Sequence, residues 1–289
     1  MNPIVERIGE DHVGVLSSQS SALDQRSYSR RLLVWNCLPW RSIATIASVL
    51  IAWQILSVIG AINPSRFPSP AQTFRATVAM IEHPFAGHTL FGHIGASLIR
   101  WIFGVALAIA VGITFGAALA WNPTFRAATR PIFEFLRYIP PLAWVPLAII
   151  ILGPSLTAEV FIVFVGAVPP VIINVWTGVA GVDPVLTSAA KTLGAGSMRT
   201  LLLVAIPAAT LNILTGVRVA VANGWASLIG AELVGAQSGL GFIIITAQTS
   251  NRADDILTGM LFIGLIGAFI DIVLRRTTRR LTFWHGSSL

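Results

Sequence analysis

Charged residues are scarce in this sequence. Only 11% of its 289 residues are Asp, Glu, Lys or Arg, whereas 55% are hydrophobic. A soluble globular domain carries about 25% charged residues, and a surface built from far fewer would be poorly solvated. The mean hydropathy of +0.78 points the same way. A lipid bilayer is the solvent that accepts this composition.

Cysteine and lysine occur once each, as Cys37 and Lys191. A single cysteine excludes an intrachain disulfide, and a free thiol without function is the simplest interpretation of Cys37. The lone lysine does not lie in a G-x-x-x-x-G-K-[ST] sequence, so the chain has no P-loop and cannot hydrolyse ATP by that route. The N-terminus lacks the apolar core of a signal peptide, and we predict that residues 1–40 form a disordered cytoplasmic extension.

Neither nucleic acid nor a metal ion is a predicted partner. The net charge is +7, but the basic residues lie between long apolar runs, which fits a topology signal better than a phosphate-binding patch. His83, His88 and His93 recur every five residues, whereas ligands on one helical face recur every three or four. We therefore predict no metal site.

Six apolar runs predict an all-α, polytopic bundle of about six transmembrane helices. Small residues recur in the second run at Gly104, Gly112 and Gly116, which favours close helix packing in lipid. The third run is short and contains Pro140, Pro141 and Pro146, which either kink a helix to aid packing or break it and open a cavity. We predict a transmembrane domain over 41–280 and a cytoplasmic tail over 281–289. The runs cover about 42–61, 94–120, 139–152, 158–176, 209–231 and 256–274.

The basic residues predict the orientation of these spans. With both termini in the cytoplasm, fourteen of the 19 Lys and Arg residues lie in cytoplasmic segments and three in outer segments. The other two, Arg100 and Arg218, lie within spans. This distribution follows the positive-inside rule, and we reject the reverse orientation. The polar segment 177–200 is thereby predicted to be cytoplasmic.

That segment contains the most specific local pattern of the sequence. Asp183 is placed to cap a helix that begins at Pro184, and apolar residues recur on one face as far as Leu193. Gly194 allows the chain to leave this helix in a left-handed turn, and a second helix is predicted to begin near Ser197. Such a short amphipathic helix either docks on a soluble partner or rests on the lipid headgroups.

The same segment resembles the EAA motif of bacterial ABC importer permeases. The matching residues are Ser188, Ala189 and Ala190, then Gly194, then VAIPAA, which contains Pro207. Two other stretches are similar to the same family, FLRYIPPLAWVPLAIIILG (135–153) and GVRVAVANGWASLIGAELVGAQSGLGFII (216–244). The likeness covers about residues 65–280. It is greatest to the branch that imports sulfonates, taurine, nitrate, cyanate or bicarbonate.

The resemblance implies a non-catalytic permease subunit in the bacterial inner membrane. It implies a second permease copy, two ABC ATPase subunits that use ATP and Mg²⁺, and an external binding protein that delivers a small anion. The chain itself is expected to bind no cofactor and to contact membrane lipid. Ser188 stands where the family often has Glu, so a charge pair with the ATPase is in question. The ATPase-coupling residues implied are Asp183, Ser188, Ala189, Ala190, Lys191, Leu193, Gly194, Ala195, Arg199 and Pro207.

Polar, charged and tryptophan residues within the spans are the candidates for the translocation path. Arg100, near the outer end of its span, is expected to extend to the membrane interface. Glu159 and Asp271, near span ends, are expected to be solvated or structural. For Arg218 and Glu232 a structural role is the alternative. The predicted path residues are Trp144, Arg218, Asn223, Trp225 and Glu232.

Two other classes of function are weighed against the importer. A stand-alone secondary transporter or channel needs relays of buried ionisable residues, and this sequence has few, without a repeat between its halves. A membrane-embedded enzyme needs a convergent cluster such as paired carboxylates or H-E-x-x-H, which is missing, so we predict no catalytic residue. Co-purification with an ATPase distinguishes the importer from both.

Overall fold

The fold is described here from a computed structural model, which describes residues 38–60, 63 and 66–281. These residues are overwhelmingly helical, and the isolated bridge between Phe85 and His88 is their only β pairing. The all-α prediction is confirmed. Most of the predicted N-terminal extension (1–40) and all but the first residue of the predicted tail (281–289) lie outside the described residues.

Two compact units divide between residues 64 and 65. In the first unit, the described residues form helix α1 (Leu38–Val58). Its apolar stretch Ile43–Val58 corresponds to the first predicted span. Helix α1 therefore begins slightly before the predicted boundary at residue 41.

The second unit contains the other described helices. Four of its helical stretches are long and apolar enough to cross a membrane, and they match the second, fourth, fifth and sixth predicted spans. They are α3, α6, α9 together with α10, and α11 as far as Thr278. The helices are α2 (Pro70–Glu82), α3 (Leu90–Trp121), α4 (Pro123–Leu136), α5 (Val145–Leu152), α6 (Leu156–Ala180), α7 (Pro184–Thr192), α8 (Ser197–Ala208), α9 (Thr210–Gly235), α10 (Leu240–Thr249) and α11 (Ala253–Leu281).

The third predicted span (139–152) is not a continuous helix. A 3₁₀ turn (Pro141–Trp144) leads into α5, whose eight residues rise only about 12 Å, far less than the roughly 30 Å of a bilayer core. The preceding polar segment forms α4, and α4 and Pro141–Leu152 together make a broken pair bent by 90°. Proline explains the break, because it cannot donate a helical hydrogen bond and it restrains the residue before it.

Helix α6 is the centre of the bundle and packs along α3 and α9. Its fully buried residues include Val163, Val171 and Val175, whose four- and eight-residue spacing places them on one face. Each lies against a glycine of α3, where even a Cβ atom would come within 2.8 Å of a valine atom. The predicted role of the small residues in close helix packing is confirmed. The three pairs are Gly104 with Val163, Gly112 with Val171 and Gly116 with Val175.

We expect Gly116→Ala to destabilise the bundle. The new Cβ would lie 2.8 Å from the Ile172 backbone oxygen and 2.8 Å from Val175 Cβ, and a backbone atom cannot rotate away. Overpacking of this kind costs about 1–3 kcal/mol. The measurement is the thermal unfolding temperature of the purified protein in detergent.

Gly95→Ala is the matched control for this substitution. Gly95 lies on the same helix, α3, and a Cβ there meets nothing within 4 Å. Alanine should then stabilise the helix slightly, by about 0.5–1 kcal/mol. Equal unfolding temperatures for the two variants would contradict close packing between α3 and α6.

Candidate functional site

Three charged side chains from three spanning helices meet inside the bundle. Arg100 of α3, Glu159 of α6 and Glu232 of α9 are 8%, 6% and 0% exposed. Arg100 Nη1 donates to Glu232 Oε1 at 3.0 Å, and Arg100 Nε forms an ion pair with Glu159 Oε2. One guanidinium thus faces two carboxylates in a buried setting, where an unpaired charge is costly. We call Arg100, Glu159 and Glu232 the buried charge cluster.

This cluster corrects one prediction, because Arg100 does not extend to the membrane interface. Of the two roles expected for Glu159, solvated or structural, its burial and its ion pair with Arg100 support the structural one. Both residues lie near the ends of their apolar runs, but the packed helices enclose them there. Asp271 is more exposed, as predicted, and forms ion pairs with Arg218 at 3.3 Å and Arg275 at 2.6 Å.

The N-terminus of α10 is held by side chains of α3 and α9. The N–H groups of three consecutive residues would lack helical partners, but each donates to a side chain. Ser97 Oγ in turn donates to Glu232 Oε1 at 2.7 Å. The buried charge cluster therefore also fixes where α10 begins. The bonds are Gly239 N to His93 Nδ1 at 3.0 Å, Leu240 N to Ser97 Oγ at 2.9 Å and Gly241 N to Glu232 Oε2 at 2.9 Å.

Arg100 and His93 complete this arrangement. Arg100 Nη1 donates to the Ser238 carbonyl at 2.7 Å and Nη2 to the Ser238 hydroxyl at 2.8 Å. His93 accepts at Nδ1, so Nε2 carries the proton and donates to the Phe85 carbonyl at 2.9 Å. His93 is thus a positioning residue. Among the described residues, no group of three or more His, Cys, Asp or Glu side chains could hold a metal ion.

The polar segment between α6 and α9 folds as its sequence predicts. Asp183 Oδ1 accepts from Val185 N at 2.8 Å and caps α7. Gly194 has a φ of +80°, and Ala195 N donates to Ala190 O at 3.0 Å, which closes the end of the helix in the way that a left-handed glycine allows. The predicted start and end of this helix are confirmed.

The next helix, α8, is also interrupted where proline predicts. Residues Leu201–Ala205 form a π-helical turn just before Pro207, which lacks the N–H that would continue the regular pattern. Trp121 Nε1, at the end of α3, donates to Ser197 Oγ of α8 at 2.7 Å. The segment is therefore attached to α3 as well as to α6 and α9.

An apolar surface projects from α7 and the start of α8. No residue of α7 is buried, and Leu193 is 88% exposed. Lys191 and Arg199 are exposed beside it. We call this the α7 surface; its large apolar residues are Val185, Leu186, Leu193 and Met198. Of the predicted coupling residues, Ala190 and Ala195 are half-buried, and Asp183, Ser188, Ala189, Lys191, Leu193, Gly194, Arg199 and Pro207 are exposed.

The five predicted path residues are not brought together at one site. Trp144 packs against Phe161, Trp225 packs against Trp101, and Glu232 belongs to the buried charge cluster. Arg218 is half-exposed and pairs with Asp271. Asn223 lines a cavity of about 370 Å³. Sequence reasoning missed Arg137 and Ser227 on the same cavity, and the prolines around them were the available signal.

A multi-pass bundle with closely packed spans and an exposed amphipathic helix between two of them is compatible with a membrane transport subunit. Comparison with known proteins agrees. A family model described as "Binding-protein-dependent transport system inner membrane component" matches residues 108–283, and the chain belongs to this family.

Three named relatives show which kinds of transport permease this chain is similar to. The chain is 34% identical over 277 residues to the taurine transport system permease protein TauC of Escherichia coli (strain K12), covering 92% of this chain and 98% of TauC. It is 35% identical over 237 residues to the bicarbonate transport system permease protein CmpB of Synechococcus elongatus, covering 79% and 84% of the two chains. It is 32% identical over 236 residues to the nitrate import permease protein NrtB of a Synechocystis species, covering 80% and 85%.

A solved structure shares the fold. A chain of the MetNI methionine ABC transporter superposes with a TM-score of 0.60 at 21% identity, covering 67% of this chain and 96% of that one. The protein is therefore a permease subunit of an ABC importer, a non-catalytic multi-pass component of the inner membrane.

Proposed function

We propose that this permease imports a small anion of the sulfonate, nitrate or bicarbonate class. The relatives named for taurine, bicarbonate and nitrate transport support this class. A second permease copy would complete the path, and an external binding protein would deliver the anion. Both termini would lie in the cytoplasm, which the distribution of basic residues supports.

The α7 surface is the observation that supports docking of an ABC ATPase. It presents exposed apolar residues such as Leu193 on a polar segment between two spans. Burying a leucine or valine side chain is worth about 1.5–3 kcal/mol, so a groove on a soluble partner that covers this surface gains substantial affinity. Lys191 and Arg199 at its edge favour an acidic rim on that partner.

The connections of α7 explain how such docking would drive transport. Helix α7 begins shortly after α6 ends at Ala180, and α8 leads from it into α9. The bond from Trp121 to Ser197 adds α3 to the same assembly. Two partner ATPases that bind ATP with Mg²⁺ and close on each other would carry the α7 helices of two permeases with them. The spans would then alternate between inward-open and outward-open states.

In this assembly the predicted coupling residues have distinct roles. Asp183 and Gly194 shape α7, and Pro207 sets the bend that leads to α9. The small side chain of Ala189 allows a partner to approach α7 closely. Ser188 leaves this part of the α7 surface uncharged, where the family often has Glu. No residue of this chain takes part in ATP hydrolysis.

Reconstituted uptake tests the proposal. The permease, the ATPase and the binding protein encoded beside it are incorporated into proteoliposomes, and uptake of labelled taurine, nitrate and bicarbonate is measured. We expect ATP-dependent uptake of at least one anion, and its loss with an ATPase whose P-loop lysine is replaced. Uptake by the permease alone would instead show a stand-alone transporter.

A further inference from the structure

The cavity of about 370 Å³ lies between α6, α9 and the break that follows α4. Most of its wall is apolar, formed by leucine, isoleucine, valine and proline residues. Its polar side chains are those of Arg137, Asn223 and Ser227. A largely apolar pocket with a few convergent polar groups is the usual form of a small-molecule site.

The cavity lies near the middle of the spanning helices. Gly166 and Pro170, on its wall, belong to the central part of α6, and Asn223 belongs to the central part of α9. The third contribution comes from the bent pair formed by α4 and Pro141–Leu152. Arg137, at this bend, therefore lies beside the spans, although the charge count assigned it to a cytoplasmic segment. Transporters commonly bind their substrates near the bilayer midplane, at such interrupted helices.

Among the described residues, Arg137 is the only ionisable one on the wall of the cavity. Its Nη2 donates to the Tyr138 hydroxyl at 3.0 Å, and its guanidinium lies 4.7 Å from the centre of that ring. In the described part of the chain it pairs with no carboxylate. Glu134, one turn earlier, is near enough to interact with the charge of Arg137, but its direct ion pair is with Arg130. A cation without a direct carboxylate partner, in a wall whose described residues include no acidic group, favours an anionic ligand.

One neutral group adds a hydrogen-bond donor. The Ser227 hydroxyl is not that group, because Ser227 Oγ already donates its proton to the Asn223 carbonyl at 2.8 Å. The Asn223 carboxamide is exposed and forms no side-chain hydrogen bond within the described residues. A carboxamide and a guanidinium turned toward lipid tails would each cost several kcal/mol. This face therefore meets water or protein and not the acyl chains.

We propose that this cavity is a transit site for the imported anion, a small oxyanion of the sulfonate or nitrate class. Arg137 supplies its positive charge and Asn223 its hydrogen-bond donor. The inference rests on the proposed function as an anion importer. A single cation and one neutral donor hold an anion weakly, which suits a site that must release its ligand quickly.

Thiol labelling tests the site without requiring transport. In a Cys37→Ser background, Ala226→Cys places a thiol on the cavity wall, because Ala226 is exposed and lines the cavity. The assembled permease–ATPase complex is treated with anionic 2-sulfonatoethyl methanethiosulfonate and, separately, with the cationic trimethylammonium analogue. Reaction rates are divided by those of a small free thiol, which removes the intrinsic difference between the reagents.

We expect the anionic reagent to be favoured, and Arg137→Gln to lower the anionic-to-cationic rate ratio roughly tenfold by removing a nearby unit charge. Arg137→Lys should keep most of the preference. Arg126→Gln is the matched control, because it removes one positive charge from α4, the helix that ends just before Arg137, without touching the cavity. Its ratio should equal that of the parent.

Protection of the Ala226→Cys thiol from labelling identifies which solute binds in the cavity. Taurine, nitrate and bicarbonate, each at millimolar concentration, are added before labelling, and at least one should slow the anionic reagent in the parent but not in Arg137→Gln. An unlabelled thiol, an unchanged ratio in Arg137→Gln or protection by none of the three anions would each overturn the site. Those outcomes leave the proposed function intact, because uptake and its ATP dependence are measured separately.

Discussion

Arg100→Met should strongly destabilise the folded permease. The substitution keeps much of the side-chain volume but leaves the buried carboxylates of Glu159 and Glu232 without their cation. Breaking a buried pair by removing one partner costs about 3–5 kcal/mol. We expect the unfolding temperature of the purified protein in detergent to fall by on the order of 10 °C. Size-exclusion chromatography after heating is the measurement.

Two further variants make this prediction specific. Arg218→Met removes an arginine whose ion pair with Asp271 is half-exposed, and such pairs contribute only about 0–1 kcal/mol. In the other variant, Arg100→Met is combined with Glu159→Gln and Glu232→Gln, so that no charge remains in the cluster. This triple variant should recover more than half of the lost stability. A triple variant no more stable than Arg100→Met would show that uncompensated charge is not the cause.

Gly194→Asp should abolish transport while leaving membrane insertion intact. A side chain at Gly194 meets nothing within 4 Å in the chain, and aspartate tolerates the positive φ at a cost of about 1–2 kcal/mol. The added carboxylate would project from the α7 surface beside Leu193. We expect the amount of ATPase that co-purifies to fall at least about tenfold, which corresponds to about 1.4 kcal/mol of binding energy.

Two controls separate docking from backbone strain. Gly194→Asn introduces a side chain of similar size that also tolerates this conformation but carries no charge, so it should retain most of the ATPase. Gly87→Asp introduces the same residue at another positive-φ glycine with open space around it, on the predicted outer side. It should co-purify with the ATPase as the parent does. Normal ATPase association and uptake in Gly194→Asp would exclude α7 as the docking element.

Much of the fold could be predicted because its signals are local. A run without charges predicts a span by length alone, and Asp183 before Pro184 predicts a helix start from adjacent residues. The glycines of α3 predicted close packing for the same reason. The broken third span was harder, because 139–152 is strongly apolar, but its prolines bar a single helix and it reaches the length of a span only together with α4.

The buried charge cluster could not be predicted, because it exists only once three distant helices have packed. Arg100, Glu159 and Glu232 each lie near the end of an apolar run, where sequence alone favours contact with the interface. Pairing among them depends on the register of α3, α6 and α9. The cavity could not be predicted for a similar reason. Arg137 lies on a polar segment, and only the bend after α4 brings it to the same cavity wall as Asn223.

The contacts between the glycines of α3 and the valines of α6 affect how far α6 can bend. Helix α6 contains Pro169 and Pro170, which remove two of its internal hydrogen bonds and would make an isolated helix a hinge. Helix α3 has no proline, and its glycines contact α6 on both sides of this proline pair, at Val163 and at Val175. These contacts stiffen α6 on both sides of its prolines. In the proposed mechanism, a displacement of α7 would therefore move α3 and α6 together instead of bending α6.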